Sequence, residues 1–407
     1  MSKSFKDNGT EWIGKVPEYW EQALIGSLYK LRNTKVSDKQ FEPLSVTMRG
    51  ILHQLENAAK TNDGDNRKLV RKGDFVINSR SDRRGACGIS KYDGSVSLIN
   101  LVLVPQNNMH PGYYDWLFHT TAFADEFYKW GHGIVDDLWT THWQDMKNIT
   151  IPVPPLPEQR RIADYLDKKC AEIDTLSQNI QQQIETLEQY KRAVITETVT
   201  KGLNPSAPMK DSGIPWIGQI PQHWEIKRLK RTVTLRNQKK QSSGETYIAL
   251  EHVNSYTGTY SIEESITPEG ASNVMRKGDI LFAKLRPYLA KAIIADLDGI
   301  CSSEFLVLKE YQGISSFLLR ILLSHWFINL VNSSTYGTKM PRANWEFIGN
   351  ILIPLPPKSE QQAIADYLDD KCGKIDGIIQ AKQQQLEILQ QYKKALIFEY
   401  VTGKKQL

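Results

Sequence analysis

Apolar residues, with a lysine at a few of the positions, recur at alternating steps of three and four residues in two long polar stretches of the chain. The first series is Ile180, Ile184, Leu187, Lys191 and Val194. The second series has the same spacing and contains Ile375, Ile379, Lys382, Leu386, Leu389, Lys393 and Leu396. This spacing is the heptad pattern of a coiled coil, and a few heptads do not make a stable helix in isolation. The pattern therefore predicts two long helices that bury their apolar seams against each other.

Both helices belong to an internal repeat. Residues 151–200 and 353–402 align without gaps at an offset of 202, and 30 of 50 positions are identical. Each copy begins with a proline-rich segment (151–157 or 353–357), which we expect to be extended because proline disfavours helix. A short amphipathic helix is predicted next, over residues 158–169 in the first copy. An alternative is that each long helix packs on its own domain without pairing.

A second repeat precedes each of these copies. Residues 7–33 correspond to residues 211–237 at an offset of 204, and both contain the pattern W-I-G-x-[IV]-P-x-x-W. Its tryptophans are Trp12 and Trp20 in the first copy and Trp216 and Trp224 in the second. We expect them to pack in the core at the start of each domain, with ligand stacking as the alternative.

The regions between these repeats differ from each other. The sequence predicts short strands and, in each region, one helix, over residues 112–130 and 315–332. The strands are predicted at 75–78, 97–104, 247–250, 280–283 and 304–308. Only the segment Arg-Lys-Gly-Asp, at 71–74 and 276–279, is clearly shared. Similar flanking repeats around dissimilar intervening regions indicate two similar domains that recognise different ligands.

The predicted fold class is α+β, with two α/β recognition domains separated by an antiparallel coiled coil and related by a pseudo-two-fold axis. A helix over 172–199 would be about 40 Å long at 1.5 Å per residue. The predicted boundaries are 1–157 for the first recognition domain, 158–200 for the central helix, 201–210 for a linker, 211–357 for the second recognition domain and 358–407 for the C-terminal helix.

Composition adds only weak constraints. The net charge of +5 and pI of 8.7 are compatible with nucleic-acid binding without requiring it. The cysteines, at 87, 170, 301 and 372, have no metal-ligand spacing, and we expect Cys170 and Cys372 to be small buried thiols. We identify no catalytic or metal-binding motif, signal peptide or transmembrane segment. Reduced thiols are typical of a cytosolic protein, so the expected location is the cytoplasm.

Basic loops at corresponding places in the two halves are the candidate DNA contacts. Guanidinium groups match phosphate oxygens and the guanine edge. The candidates in the first half are Arg80, Arg83, Arg84, Lys91, His132 and Thr141. Those in the second half are Lys284, Arg286, Tyr288, Lys291, Thr338, Lys339, Arg342 and Asn344. For any one of these residues, a solvated surface charge is the alternative interpretation.

The duplicated pattern I-P-[LV]-P-P-x-x-E-Q-x-x-I-A-x-Y-L-D, followed by a Gln-rich helix, gives the chain a family resemblance. Over its whole length the chain resembles the specificity subunit of Type I restriction–modification systems. This resemblance implies that each recognition domain binds one half of a bipartite, asymmetric DNA target. It also implies two methyltransferase subunits that use S-adenosylmethionine, and restriction subunits that use ATP and Mg²⁺. The chain itself would have no catalytic activity and no cofactor.

Two other classes of function remain open from the residues alone. One is a metal-dependent DNA nuclease, for which Asp74 and Asp279 are the motivating carboxylates. The other is a coiled-coil adaptor in which the basic loops have no role. The target sequence, the half-site that each domain binds and the exact gap are not encoded in any pattern that we recognise.

Overall fold

The structure is a computed structural model of the chain. It describes residues 4–7, 9–55, 63–80, 83–106, 109–133, 139–242, 244–262, 266–268, 270–337 and 339–407. The chain divides into two compact units. Unit 1 contains residues 1–180 and 384–407, and unit 2 contains residues 181–383.

The first half of the chain is mostly short strands that lead into one long helix. The elements are β1 (Phe5–Asp7), β2 (Lys15–Pro17), β3 (Glu21–Leu24), α1 (Ile25–Leu28), β4 (Tyr29–Arg32), β5 (Lys35–Val36), β6 (Leu44–Thr47), β7 (Gly50–His53), β8 (Arg67–Val70), β9 (Phe75–Asn78), β10 (Cys87–Ile89), β11 (Gly94–Val96), β12 (Asn100–Pro105), α2 (Pro111–Phe118), α3 (Thr121–Lys129), α4 (Trp143–Met146), β13 (Thr150–Val153) and α5 (Leu156–Lys201).

The second half follows the same order and ends in a second long helix. Its elements are β14 (Met209–Asp211), β15 (Gln219–Pro221), β16 (Glu225–Arg228), a 3-10 turn (Leu229–Arg231), β17 (Thr234–Leu235), β18 (Lys239–Lys240), β19 (Tyr247–Ile248), β20 (Ser272–Met275), β21 (Ile280–Ala283), a 3-10 turn (Pro287–Leu289), β22 (Ala292–Ile294), β23 (Gly299–Cys301), β24 (Phe305–Lys309), α6 (Ser315–Leu322), α7 (His325–Ser333), α8 (Trp345–Asn350), β25 (Leu352–Leu355) and α9 (Lys358–Val401).

The sheets of the two units have matching topology. Unit 1 contains a four-stranded sheet, β10-β9-β12-β4, and unit 2 contains its counterpart, β22-β21-β24-β17. A second sheet, β11-β8-β5, corresponds to β23-β20-β18, to which unit 2 adds the parallel strand β19. The α+β prediction is confirmed, and the shared framework extends through regions where the two sequences could not be aligned.

The single helices predicted at 112–130 and 315–332 are each two short helices. In unit 1 the break falls at His119 and Thr120, and the Thr120 hydroxyl accepts a hydrogen bond from Phe123 N at 3.2 Å. This N-cap begins α3 in a new direction. In unit 2 the break falls at Leu323 and Ser324. Apolar periodicity across the break concealed it, because all four short helices contribute residues to the cores.

Three of the four tryptophans in the repeated W-I-G motif pack in the cores as predicted. Trp20 and Trp224 are fully buried and Trp12 is 9% exposed, whereas Trp216 is 45% exposed. The prediction is therefore wrong for Trp216. Cys170 and Cys372 are buried, as expected, and burial raises the pKa of the Cys170 thiol to about 11.

The Glu-Gln pair of the proline-rich repeat fixes the start of each long helix. Trp20 Nε1 donates to Glu158 Oε2 at 3.2 Å, and Trp224 Nε1 donates to Glu360 Oε2 at 2.9 Å. The adjacent glutamine accepts from the chain entering the recognition helices, because Gln159 Oε1 bonds His110 N at 2.8 Å. Gln361 makes the matching bond to Ile314 N at 2.9 Å. These buried or partly buried bonds explain why both copies retain these residue types.

Both long helices are continuous, so the predicted short helix at 158–169 is the first part of α5. Within unit 1, Tyr165 packs on Tyr400 and Lys393 bonds Asp174. The residue number rises along one helix as it falls along the other, so the predicted antiparallel pairing is present in this unit.

Unit 2 has the same antiparallel arrangement. Lys382 bonds Gln183, and Lys191 bonds Asp376 at 2.6 Å. Lys191 and Lys393 occupy heptad positions, and each pairs with the same repeat-equivalent aspartate of the facing helix. The predicted seam residues are buried or half-buried: Ile180, Ile184, Leu187, Val194, Ile379, Leu386, Leu389 and Leu396. Their role as a spacer, and the pseudo-two-fold axis, remain predictions.

Of the helices that the structure describes, none has both the length and the apolar content needed to cross a bilayer.

The Lys191–Asp376 pair yields a stability prediction. Lys191→Asp places two carboxylates together, and we expect it to lower the free energy of unfolding by about 1 kcal/mol. Adding Asp376→Lys should recover most of this loss. The measurement is a double-mutant cycle by urea unfolding, with an expected coupling of about 0.5–1 kcal/mol. The control is Lys374–Asp370, a pair within one helix. A coupling of zero for Lys191–Asp376 would contradict the structure.

Candidate nucleic-acid interface

In unit 1 the loop that follows β9 meets the loop that precedes α4. Arg80 forms an isolated β-bridge with Thr140, and His132 exchanges backbone hydrogen bonds with Thr140 at 2.9 and 3.0 Å. Thr141 N donates to Ser79 O at 2.9 Å. These contacts bring together two of the predicted loops and present Arg80 and His132 as exposed side chains.

The arginines of this first loop differ in how they are held. The Arg84 guanidinium pairs with Asp125 of α3 and lies over the Tyr128 ring, 5.0 Å from its centroid. Arg83 is exposed. Among the described residues, the Arg80 side chain forms no ion pair with a carboxylate. Ser81 and Asp82 lie outside the described residues. Arg84 therefore anchors the loop on α3, while the Arg80 side chain is exposed.

Thr141 and Lys91 lie apart from the exposed side chains of the loop junction. Thr141 is 1% exposed and its hydroxyl donates to Phe127 O at 2.8 Å, so it closes the loop junction from inside. Lys91 follows β10, whose residue Ile89 pairs with Phe75 at the start of β9. It is exposed but lies at the end of this hairpin opposite Arg80. The sequence shows which polar group each position carries, but not whether that side chain faces the core or at which end of the hairpin it lies.

In unit 2 the equivalent loops meet in the same way. Leu285 forms a β-bridge with Arg342, and Tyr336 exchanges backbone hydrogen bonds with Arg342 at 3.1 and 3.0 Å. Ala343 N donates to Lys284 O at 2.9 Å, as Thr141 N donates to Ser79 O in unit 1. The loop junction is thus repeated in detail, although its side chains are different.

Several predicted residues in unit 2 have structural partners. The Lys291 ammonium donates to Leu250 O at 2.7 Å, and Asn344 Oδ1 caps α8 by accepting from Phe347 N at 2.8 Å. The Arg342 guanidinium pairs with Glu304, with 3.0 Å between Nη2 and Oε1. This carboxylate raises the pKa of Arg342. These bonds shape the junction and leave less of each side chain for a ligand.

Other predicted residues in unit 2 are presented to solvent. Arg286 is exposed, with a left-handed backbone (φ +49°) fixed by its N–H bond to Pro341 O at 2.7 Å. Tyr288 is exposed and Lys284 is half-buried, while Lys339 is exposed. Thr338 lies outside the described residues.

An open cleft of about 480 Å³ lies beside this junction in unit 2. It is lined mainly by polar and aromatic side chains, among them Asn237, Lys239, Asn273, Lys284, Tyr336 and Trp345. Sequence reasoning missed Asn237, Lys239, Asn273 and Trp345. The repeated Leu-Arg-Asn at 31–33 and 235–237 was the available signal, since Leu235, Arg236 and Asn237 all line the cleft.

The aspartates that motivated a nuclease have other roles. Asp74 accepts two hydrogen bonds from the Arg32 guanidinium, at 2.7 and 3.0 Å, and Asp279 accepts two from Arg236, at 2.9 and 3.0 Å. Both are buried, and each also accepts a backbone bond across its Arg-Lys-Gly-Asp turn. Among the described residues there is no group of three or more His, Cys, Asp or Glu side chains that could hold a metal.

The fold and its loop junctions define an internally duplicated α+β protein in which each β-rich unit is joined to long antiparallel helices. Residues 17–186 and 221–388 match the family described as Type I restriction modification DNA specificity domain. The chain therefore belongs to this family.

Relatives and solved structures agree with this assignment. The Type I restriction enzyme MjaVIII specificity subunit of Methanocaldococcus jannaschii is 28% identical, over 98% of this chain and 96% of its own length. The Type I restriction enzyme EcoDI specificity subunit of Escherichia coli is 25% identical over 58% of this chain and 57% of its own. The chain thus corresponds to a specificity subunit, which is not itself a catalytic subunit.

Two solved structures share the fold at 17% identity. A chain in "Structural basis underlying complex assembly and conformational transition of the type I R-M system" has a TM-score of 0.72, covering 96% of this chain and 99% of that chain. The HsdS subunit from Thermoanaerobacter tengcongensis has a TM-score of 0.54, covering 96% and 98%.

The different surroundings of Arg80 and Arg84 give a testable prediction. Arg84→Gln removes the ion pair and the contact with the Tyr128 ring, so we expect it to lower the free energy of unfolding by about 0.5–1.5 kcal/mol. The matched variant Arg80→Gln should change stability by less than about 0.5 kcal/mol. Both are measured by urea unfolding. Equal losses for the two variants would show that Arg84 does not anchor the loop.

Proposed function

We propose that this chain is the DNA-binding specificity subunit of a Type I restriction–modification complex and that it recognises a bipartite, asymmetric target. Each unit would bind one half-site through its loop junction. The observation that supports this proposal most directly is that both units build the same junction but expose different side chains. These are Arg80 and His132 in unit 1 and Arg286 and Lys339 in unit 2. Similar supports with dissimilar contacts suit two different half-sites.

In this proposal the paired helices set the gap between the half-sites. Holding two weak binding surfaces on one rigid support raises their effective concentration on a single duplex. Each bidentate base contact contributes about 1–3 kcal/mol of discrimination. Two linked half-sites therefore give a selectivity that neither surface would reach alone.

We further propose that catalysis belongs to partner subunits. Two methyltransferase subunits with S-adenosylmethionine, and restriction subunits with ATP and Mg²⁺, would assemble on this chain in a prokaryotic cytoplasm. Adenine methylation in a duplex requires the base to leave the stack. A chain that holds the duplex on both sides of a gap would keep it in place during that step.

Half-site recognition can be tested in unit 2. We expect Lys284→Gln/Arg286→Gln to reduce discrimination in one half of the selected target by about 1–3 kcal/mol for each lost base contact, and to leave the other half unchanged. The measurement is competitive binding of a duplex library at fixed salt. The matched control is Arg276→Gln/Lys277→Gln, at the opposite end of β21. Loss of selectivity in both halves, or in neither, would argue against one half-site per unit.

The spacer role can be tested by lengthening the helix pair. One heptad inserted after Gln182 and one after Gln384 adds about 10 Å to each helix at 1.5 Å per residue. We expect the preferred gap to increase by about three base pairs, at 3.4 Å per base pair. The measurement is selection from duplexes that differ only in gap length. An unchanged optimum would contradict the spacer role, provided that the melting curve shows a folded variant.

A further inference from the structure

Each unit contains one very close contact between a glycine and a lysine at the same place in the fold. In unit 1, Gly26 of α1 donates its N–H to Lys147 O at 2.9 Å, at the end of α4. A Cβ atom at position 26 would lie 3.0 Å from the Cβ of Lys147. Only glycine fits there without a shift of its neighbour.

In unit 2 the two residue types have exchanged places. Lys230 lies on the 3-10 turn that corresponds to α1, and Gly349 lies on α8. A Cβ atom at position 349 would lie 3.1 Å from the Trp345 ring and 3.3 Å from the Cβ of Lys230. The next backbone bonds are equivalent, since Ile25 N donates to Ile149 O at 3.0 Å and Leu229 N donates to Ile351 O at 2.9 Å.

The exchange of glycine and lysine between the two positions distinguishes the need for close packing from the need for a positive charge. Close packing explains why one member of the pair is glycine, but it does not demand a lysine as the other member. Both units nevertheless keep a lysine whose side chain starts at this contact, Lys147 in one and Lys230 in the other. A lysine Cβ therefore lies at this contact in both units, although the segment that supplies the lysine has changed.

Unit 2 surrounds this lysine with further positive charge. We name the exposed residues Arg228, Lys230 and Arg231 the basic ridge. Their counterparts in unit 1, at an offset of 204, are Leu24, Gly26 and Ser27. Arg228 bonds the neutral amide of Asn350 at 3.2 Å. Among the described residues, no carboxylate forms an ion pair with any of the three.

The ridge lies one short helix away from the cleft of unit 2. Lys230 contacts Gly349 near the end of α8, and Trp345 at the start of α8 lines the cleft. Trp345 and Gly349 are four residues apart, which is a rise of about 6 Å along the helix. The major groove of B-DNA is about 12 Å wide. If the cleft contacts base edges in this groove, the phosphates along the edge of the groove are close enough for the basic ridge to reach.

We propose that Lys147 in unit 1 and the basic ridge in unit 2 bind DNA phosphates beside the half-sites, and that unit 2 contributes the larger share. This inference rests on the proposed DNA-binding function. Phosphate contacts position a protein on the duplex without specifying sequence. The ridge therefore strengthens binding to every sequence equally, whereas the cleft residues set the preference.

The test is the salt dependence of binding by the full-length chain to two duplexes, the selected target and a scrambled sequence. We expect Lys230→Gln/Arg231→Gln to reduce the slope of log affinity against log salt by about 1.8, and Lys147→Gln by about 0.9. Both variants should weaken binding to the two duplexes by the same factor, leaving their affinity ratio unchanged.

The control Lys371→Gln/Lys374→Gln removes the same charge from α9 of unit 2, and its slope should equal that of the unchanged chain. Melting curves check that each variant is folded. An unchanged slope for Lys230→Gln/Arg231→Gln, with normal target selection, overturns the ridge and leaves the proposed function intact. Failure of the unchanged chain to bind either duplex at low salt overturns both.

Discussion

The structure depends on a seam that neither long helix can bury alone. Each helix has a polar surface interrupted by a narrow apolar stripe, so water is excluded only where the two stripes meet. Lysines at seam positions add direction to this pairing. Lys393 meets Asp174 in unit 1 and Lys191 meets Asp376 in unit 2, which a parallel alignment of the repeats would not allow. The same repeated residues thus provide both the burial and the register.

The two units keep a common framework through a small number of buried polar bonds. Arg32 with Asp74 ties β4 to the turn before β9, and Arg236 with Asp279 ties the end of β17 to the turn before β21. Gln159 and Gln361 tie each long helix to the recognition helices. Surface loops make no such bonds at these positions, so Arg80 of unit 1 and Leu285 of unit 2, which form equivalent bridges, can differ without cost to the fold. In the proposed function, this separation of support and contact would allow two specificities on one chain.

The repeated elements could be predicted from the sequence, whereas the helix breaks and the orientation of single side chains could not. Heptads, proline-rich strands and the central β9 and β21 were predictable because periodicity and repetition are local properties. The breaks at Thr120 and Ser324 were missed because apolar spacing continues across them. The burial of Thr141 and the place of Lys91 at the far end of a hairpin were not predictable, since both depend on partners far away in sequence. The cleft residues Asn237 and Asn273 come together only after the sheets of unit 2 have formed.

The central claim is that one chain holds two different half-site surfaces at a fixed separation, and adenine methylation mapping tests it most directly. Genomic DNA would be sequenced from cells that carry this chain with its methyltransferase partner, and from cells in which only this chain is deleted. The account predicts one motif of two unlike half-sites around a gap of constant length, present only with the chain. A continuous motif, a palindrome or methylation independent of the chain would contradict it.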